Sequence, residues 1–110
     1  MKKVGIVRCQ QTEDMCAGSN CFKTARESMG AFQEMESVEV MGFVSCGGCP
    51  GKRAVSRAKQ MVERGVEVIV LASCISKGTP IGFPCPFVEE MRDAVKRKIG
   101  ETIQVLNYSH

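Results

Sequence analysis

Val66-Glu67-Val68-Ile69-Val70-Leu71-Ala72-Ser73 is the stretch on which the fold turns. Glu67 is its only charged residue. Its apolar run is far shorter than the roughly 20 residues a membrane helix needs, and it is rich in the β-branched side chains that suit a pleated sheet. A strand without polar alternation is covered on both faces, as in the middle of a parallel sheet. Upstream, Pro50 opens a helical segment with Ala54, Val55, Ala58, Met61 and Val62 on one side, and Gly65 closes it as a C-terminal cap would. Val38–Ser45 and Lys3–Arg8 read as two earlier strands. Between them Phe22, Ala25, Met29 and Phe32 recur at helical intervals. Downstream, Pro86 opens a third helix carrying Phe87, Val88, Met91, Ala94, Val95 and Ile99 on one side. Gly100 ends it, and Thr102–Asn107 makes a fourth strand.

Alternating strands and helices imply parallel pairing with helices on both faces. The expected fold is therefore α/β, a flavodoxin-like doubly wound three-layer sandwich. Its four-stranded parallel sheet has the order 2-1-3-4, and ligands bind beyond the carboxyl ends of the strands. The chain has 110 residues, with 44% hydrophobic and 25% charged side chains, which suits one ordinary globular domain spanning 1–110. Fifteen Lys and Arg against twelve Asp and Glu leave +3, dispersed along helical stretches. That argues against a nucleic acid or a membrane surface as partner. Val4-Gly5-Ile6-Val7 is too short for the apolar core of an export signal, so the expected address is the cytoplasm. Strands two and four are left as unpaired edges, which offers a route to a homodimer.

Sulfur is the anomaly. The chain has 7 cysteines and 1 histidine. Stable disulfides are rare in the cytoplasm, and an odd count cannot pair completely within one chain. Placed on the strand map, Cys9 follows strand one, Cys46 follows strand two with Cys49 three residues on, and Cys74 follows strand three. Cys85 precedes the third helix, Cys16 and Cys21 lie between strand one and the first helix, and His110 follows strand four. Parallel strands send all these connections to one edge. Right-handed crossovers put helices two and three on the same face, which makes Cys46, Cys49, Cys74 and Cys85 the principal group. Cys9, Cys16 and Cys21 form a second group, which lies toward the opposite face or bridges to the first. Cys49-Pro50 and Cys85-Pro86 each read as an N-cap followed by the first helical residue. There the helix dipole favours a thiolate, aided at Cys49 by Lys52 and Arg53.

Familiar motifs fail. A phosphate-cradling loop would need glycine at Cys46 and Ser or Thr at Arg53. A phosphatase or arsenate-reductase loop would need Arg where Lys52 stands. A thioredoxin-like site would carry proline between its cysteines, and Thr79-Pro80 does not lead into the hairpin that fold requires. The acidic Glu13-Asp14 loop argues against a flavin phosphate after strand one.

At Cys46-Gly47-Gly48-Cys49-Pro50-Gly51 the sequence resembles the CGGC domain family of small cysteine-rich proteins. The resemblance extends from Val4-Gly5-Ile6-Val7-Arg8-Cys9 through Cys16, Cys21-Phe22-Lys23, Gly30-Ala31-Phe32, Ala72-Ser73-Cys74-Ile75 and Cys85-Pro86 to the terminal histidine. Family tails typically read Gly-Thr-His, where this one reads Tyr108-Ser109-His110. The resemblance implies a metal-binding protein of undefined activity, with cysteines and histidine as ligands. The residues themselves suggest a metal ion as partner. Zinc comes first and an iron–sulfur cluster second, held by Cys46, Cys49, Cys74, Cys85 and Cys9, with Cys16, Cys21 and His110 as further candidates. The alternative is a thiol–disulfide or electron-transfer oxidoreductase in which Cys49 attacks and Cys46 resolves.

Overall fold

The computed structural model describes residues 1–35, 37–78, 82 and 84–110. Thr79-Pro80, weighed above as a thioredoxin-like proline, lies outside them. Strands β1 (Lys2–Arg8), β2 (Val38–Ser45), β3 (Val68–Leu71) and β4 (Gln104–Leu106) alternate with helices α1 (Ser19–Arg26), α2 (Arg53–Glu63), α3 (Ser73–Ser76) and α4 (Val88–Ile99). Every strand pair is parallel, and the sheet order is β2-β1-β3-β4. This is the expected doubly wound α/β arrangement. All four residues of β3 are buried, as is Val4–Val7 of β1. The core of the molecule is thus the pairing of Val4–Val7 with Val68–Leu71.

Neighbouring residues of β2 show which helix covers which face. Phe43 packs its ring on Phe22 of α1 at 4.8 Å between centroids. Gly42, pointing to the opposite face as alternate residues of a strand must, lies beneath Met61 of α2. Gly42 is paired with Gly5 of β1. A Cβ at Gly5 would stand 2.7 Å from Met61 Sδ, and one at Gly42 would also overlap it. Two missing side chains side by side therefore form the trough that seats Met61. The register shifts between Val4 and Gly5, where β2 has one extra residue, Met41. Helices α2 and α4 pack on each other over this face.

Helix boundaries depart from the expectation at several places. The first helix ends at Arg26, and Phe32 reaches the core from a separate 3-10 segment, Gly30–Met35. Ser28 and Gly30 both have φ 55°, which no continuous right-handed helix accommodates. Helix α2 begins at Arg53, not at Pro50, because Gly51 has φ +87° and packs where a side chain would strike Met91. Its C-terminus matches the expected glycine cap. Gly65 N–H donates to Val62 O and Val66 N–H to Met61 O, both at 3.1 Å, which is the Schellman arrangement. Strand three stops at Leu71, and Ser73–Ser76 coils into the short helix α3. The last helix starts at Val88, two residues beyond Pro86. The last strand is limited to Gln104–Leu106.

The Met61 trough gives a direct test of the packing. Gly42→Val must displace Met61 and is expected to destabilise the protein by about 1–3 kcal/mol. Met61→Ala in the same background recovers part of that loss, as urea melts of the single and double variants would show.

Candidate functional site

Three parallel strands deliver their carboxyl ends to one edge, and sulfur follows each of them. Cys9 follows Arg8, Cys46 follows Ser45, and Cys74 lies three residues beyond Leu71. Cys46 N–H extends the ladder by donating to Arg8 O at 2.8 Å. Cys9 N–H donates to Cys74 Sγ at 3.2 Å, so the ends of β1 and β3 are joined through a thiol. Cys9 O in turn accepts from the Thr12 hydroxyl at 2.9 Å, holding the turn that carries the chain away. Arg57 of α2 donates to both Ser45 O and Ser45 Oγ, at 3.0 and 2.9 Å, and so fixes the start of the Cys46–Cys49 loop.

All seven cysteines are free. Cys21, Cys46 and Cys74 are buried, Cys9, Cys16 and Cys85 half-buried, and Cys49 exposed. Their mutual influence follows one line across the edge. Burial pushes the Cys9 thiol up, and the nearby Cys46 and Cys74 push it further, against backbone N–H groups of Gln11 and Thr12 that lower it. Burial likewise raises Cys21, opposed by the Ser109 hydroxyl and reinforced by Cys74 and Cys16. Burial raises Cys85, opposed by the Phe87 N–H and reinforced by Cys49, Cys46 and Glu90. Cys9 N–H bonds Cys74 Sγ, and electrostatic influence links Cys74 with Cys9 and Cys21, and Cys46 with Cys9 and Cys85. That influence runs across both groups, as a second group bridging to the first would have it. Cys49 and Cys85 lie close enough to influence one another, on the shared face of α2 and α4.

Neither Cys49 nor Cys85 is the N-cap residue expected of it. Cys49 precedes α2 by three residues beyond the N-cap Lys52, since Gly51 interrupts the helix. Cys85 lies two residues before the N-cap Phe87, yet its Sγ accepts the Phe87 N–H at 3.4 Å, the kind of bond a capping side chain makes. Among the described residues, no three His, Cys, Asp or Glu side chains converge closely enough to hold a metal ion.

The C-terminal segment contributes what the sequence did not signal. Ser109 is completely buried, and Ser73 is its counterpart. Ser73 N–H donates to Ser109 Oγ at 3.2 Å, while Ser73 Oγ accepts from Ser109 N–H at 3.1 Å and His110 N–H at 3.0 Å. The Ser73 hydroxyl donates to His110 O at 2.8 Å, where Lys77 Nζ also donates at 2.9 Å. Ser109 Oγ and Cys21 Sγ are 3.3 Å apart, a hydrogen bond in which either group can donate. His110, expected as a possible ligand, is therefore fixed at the cysteine edge through its main chain. A serine next to the histidine carries no periodicity, so nothing in the sequence signalled the clasp.

These features define a class: a doubly wound α/β domain whose sheet edge is lined with free thiols instead of a nucleotide-binding turn. The chain belongs to the CGGC domain family, which matches residues 3–110. It is similar to the uncharacterized protein MJ0582 of Methanocaldococcus jannaschii, with 35% identity over 109 residues, covering 94% of this chain and 80% of the relative. A second uncharacterized protein of that organism, MJ0766, is 31% identical over 58 residues, covering 52% of this chain and 83% of the relative. No solved structure matches the chain.

Two predictions follow from the clasp and the buried thiols. Ser73→Ala leaves the Ser109 and His110 N–H groups without their acceptor and is expected to cost about 1–3 kcal/mol, readable in urea melts. A thiol raised by burial keeps its proton longer in the folded chain than in the unfolded one. Its contribution to stability is complete below the ordinary thiol value of about 8.5 and is lost as pH rises through the folded value. Metal-free protein is therefore expected to lose stability from pH 8 to pH 10, with a shallower slope in Cys21→Ala; equal slopes would contradict the assignment.

Proposed function

We propose that this protein binds a thiophilic metal through the cysteines of the sheet edge, with Cys46, Cys49, Cys74, Cys85 and Cys9 as the principal ligands. The observation that supports this reading is the continuous neighbourhood of free thiols running from Cys16 to Cys85 at the end of three parallel strands. Thiolates are the ligands of structural zinc and of iron–sulfur clusters alike, and a Cys-x-x-Cys loop commonly presents two of them. The donor chemistry fits either group, zinc being the first choice. The arrangement of the thiols means that binding must draw them together, and Gly47 and Gly48 give the Cys46–Cys49 loop a left-handed backbone that few other residues would permit. A metal bound there would supply positive charge at the edge, and an iron–sulfur cluster would supply electrons as well. The chain positions Cys74 through Cys9 N–H and Cys85 through Phe87 N–H.

The fold does not depend on that metal, because the β1–β3 core and the Met61 trough are built from apolar side chains alone. A metal at the ligand-binding edge of a self-sufficient sheet suits sensing, carriage or redox work. A second reading is favoured by the contrast between exposed Cys49 and buried Cys46. In it the Cys49 thiolate attacks a substrate disulfide and releases one substrate thiolate. The Cys46 thiolate then attacks Cys49 Sγ, leaving a Cys46–Cys49 disulfide and releasing the second substrate thiolate.

Metal and acid-labile sulfide analysis of protein purified without oxygen separates these readings. Metal binding predicts about one zinc per chain in colourless protein, or iron with sulfide in brown protein, as four-thiolate sites require. Cys46→Ser and Cys74→Ser are each expected to lose most of it. Metal-free protein with fully titratable thiols and a reversible Cys46–Cys49 disulfide would overturn metal binding and support the second reading.

A further inference from the structure

Helices α2 and α4 do not close on each other at the cysteine end. A groove of about 510 Å³ remains between them, within the range of small-molecule sites. Its walls are Pro50, Val55, Phe87, Met91 and Ala94. Val55, Phe87 and Ala94 stay half-buried, so apolar surface is left without a partner inside the groove. Gly51 lines the end nearest Cys49, and its missing side chain lets Met91 lie flat against the backbone.

Three charged residues line the same groove: Lys52, Glu90 and Arg97. Glu90 acts on Cys85, so it belongs to the thiol end, where Lys52 also stands. Arg97 lies at the other end, ten residues along α4 from Phe87, or about 15 Å at the helical rise. Lys96 and Lys98 complement the α4 dipole together with Arg97, but of these cations only Arg97 lines the groove. Among the described residues Arg97 forms no ion pair. One end of the groove therefore offers an exposed cation without an ion pair among the described residues, the middle is apolar, and the other end, where Lys52 and Glu90 stand together, opens beside Cys49 and Cys85.

We propose that this groove binds a small anionic amphiphile, an apolar body up to about 15 Å long with its acidic group on Arg97. The apolar body lies over Ala94, Met91 and Val55 and points toward the two thiols. A cationic or uncharged amphiphile of the same size lacks the ion pair and binds more weakly. This site does not depend on the thiols holding a metal, although a ligand bound there reaches the same edge.

Anilinonaphthalene sulfonate, which combines an aromatic body with one sulfonate, is the probe. Titrated into the full chain, its fluorescence is expected to saturate at one site, and decanoate is expected to displace it while decyltrimethylammonium does not. Arg97 is exposed, so Arg97→Glu keeps the fold and is expected to weaken the probe at least fivefold. Ala94→Glu, in the groove wall, is expected to do the same. Cys49→Ser with Cys85→Ser leaves the probe's affinity within twofold while removing metal, which separates this site from the metal reading. Non-saturating fluorescence, unchanged affinity in Arg97→Glu, or equal displacement by the cationic amphiphile would each overturn the proposal.

Discussion

Because Val68–Leu71 is buried on both faces, helices must cover both sides of the sheet. Parallel neighbours then need crossovers that return every strand end to one edge. That constraint, more than any single cysteine, brings together residues as far apart as Cys9, Cys46 and Cys74. No loop has to search for the others. The same constraint keeps α2 and α4 on a common face, which is why Cys49 and Cys85 meet and why a groove exists between the helices that follow them.

The centre of the scaffold and the chemistry of its edge draw on different side chains. Apolar burial is worth about 25 cal/mol per Å², and the strands of the centre supply it without sulfur. Burial at the edge does the opposite for Cys9, Cys21 and Cys85, since a thiol removed from water holds its proton more firmly. On the proposed reading, a metal ion would displace that proton and compensate the cost of an ionised thiolate in a dry environment. Cys49 is the exposed thiol of the set, and Cys9, Cys16 and Cys85 are half-buried.

Much of this was legible in the residues. The apolar run through Leu71 marked a central strand, Gly65 marked the end of α2, and the alternation of strands with helices pointed to the parallel sheet and its order. Helix starts were less legible. Pro50 and Pro86 are good first-turn residues, but Gly51 holds a left-handed backbone that the local sequence could equally have used for a cap. The break after Arg26 was hidden because Phe32 continues the apolar spacing from a different helix type. That cysteines follow the strand ends at one edge was legible from topology, whereas the bond from Cys9 N–H to Cys74 Sγ needed the α3 turn, which a hydrophobic run conceals. The Ser73–Ser109 clasp lay beyond pattern reading because it joins two small polar residues with no periodicity of their own.

That clasp also sets an order of events. Cys21 and Ser109 are 88 residues apart in the chain, and Ser73 and Ser109 are 36 apart. Contacts of such separation form only after the intervening chain exists. During synthesis from the N-terminus, all four strands are therefore made before Ser109 arrives to close over Cys21. Until then Cys21 lacks the hydroxyl that is its hydrogen-bond partner in the folded chain. The segment around Ser109 is thus a late piece of the wall over that sulfur, tied down by its bonds to Ser73.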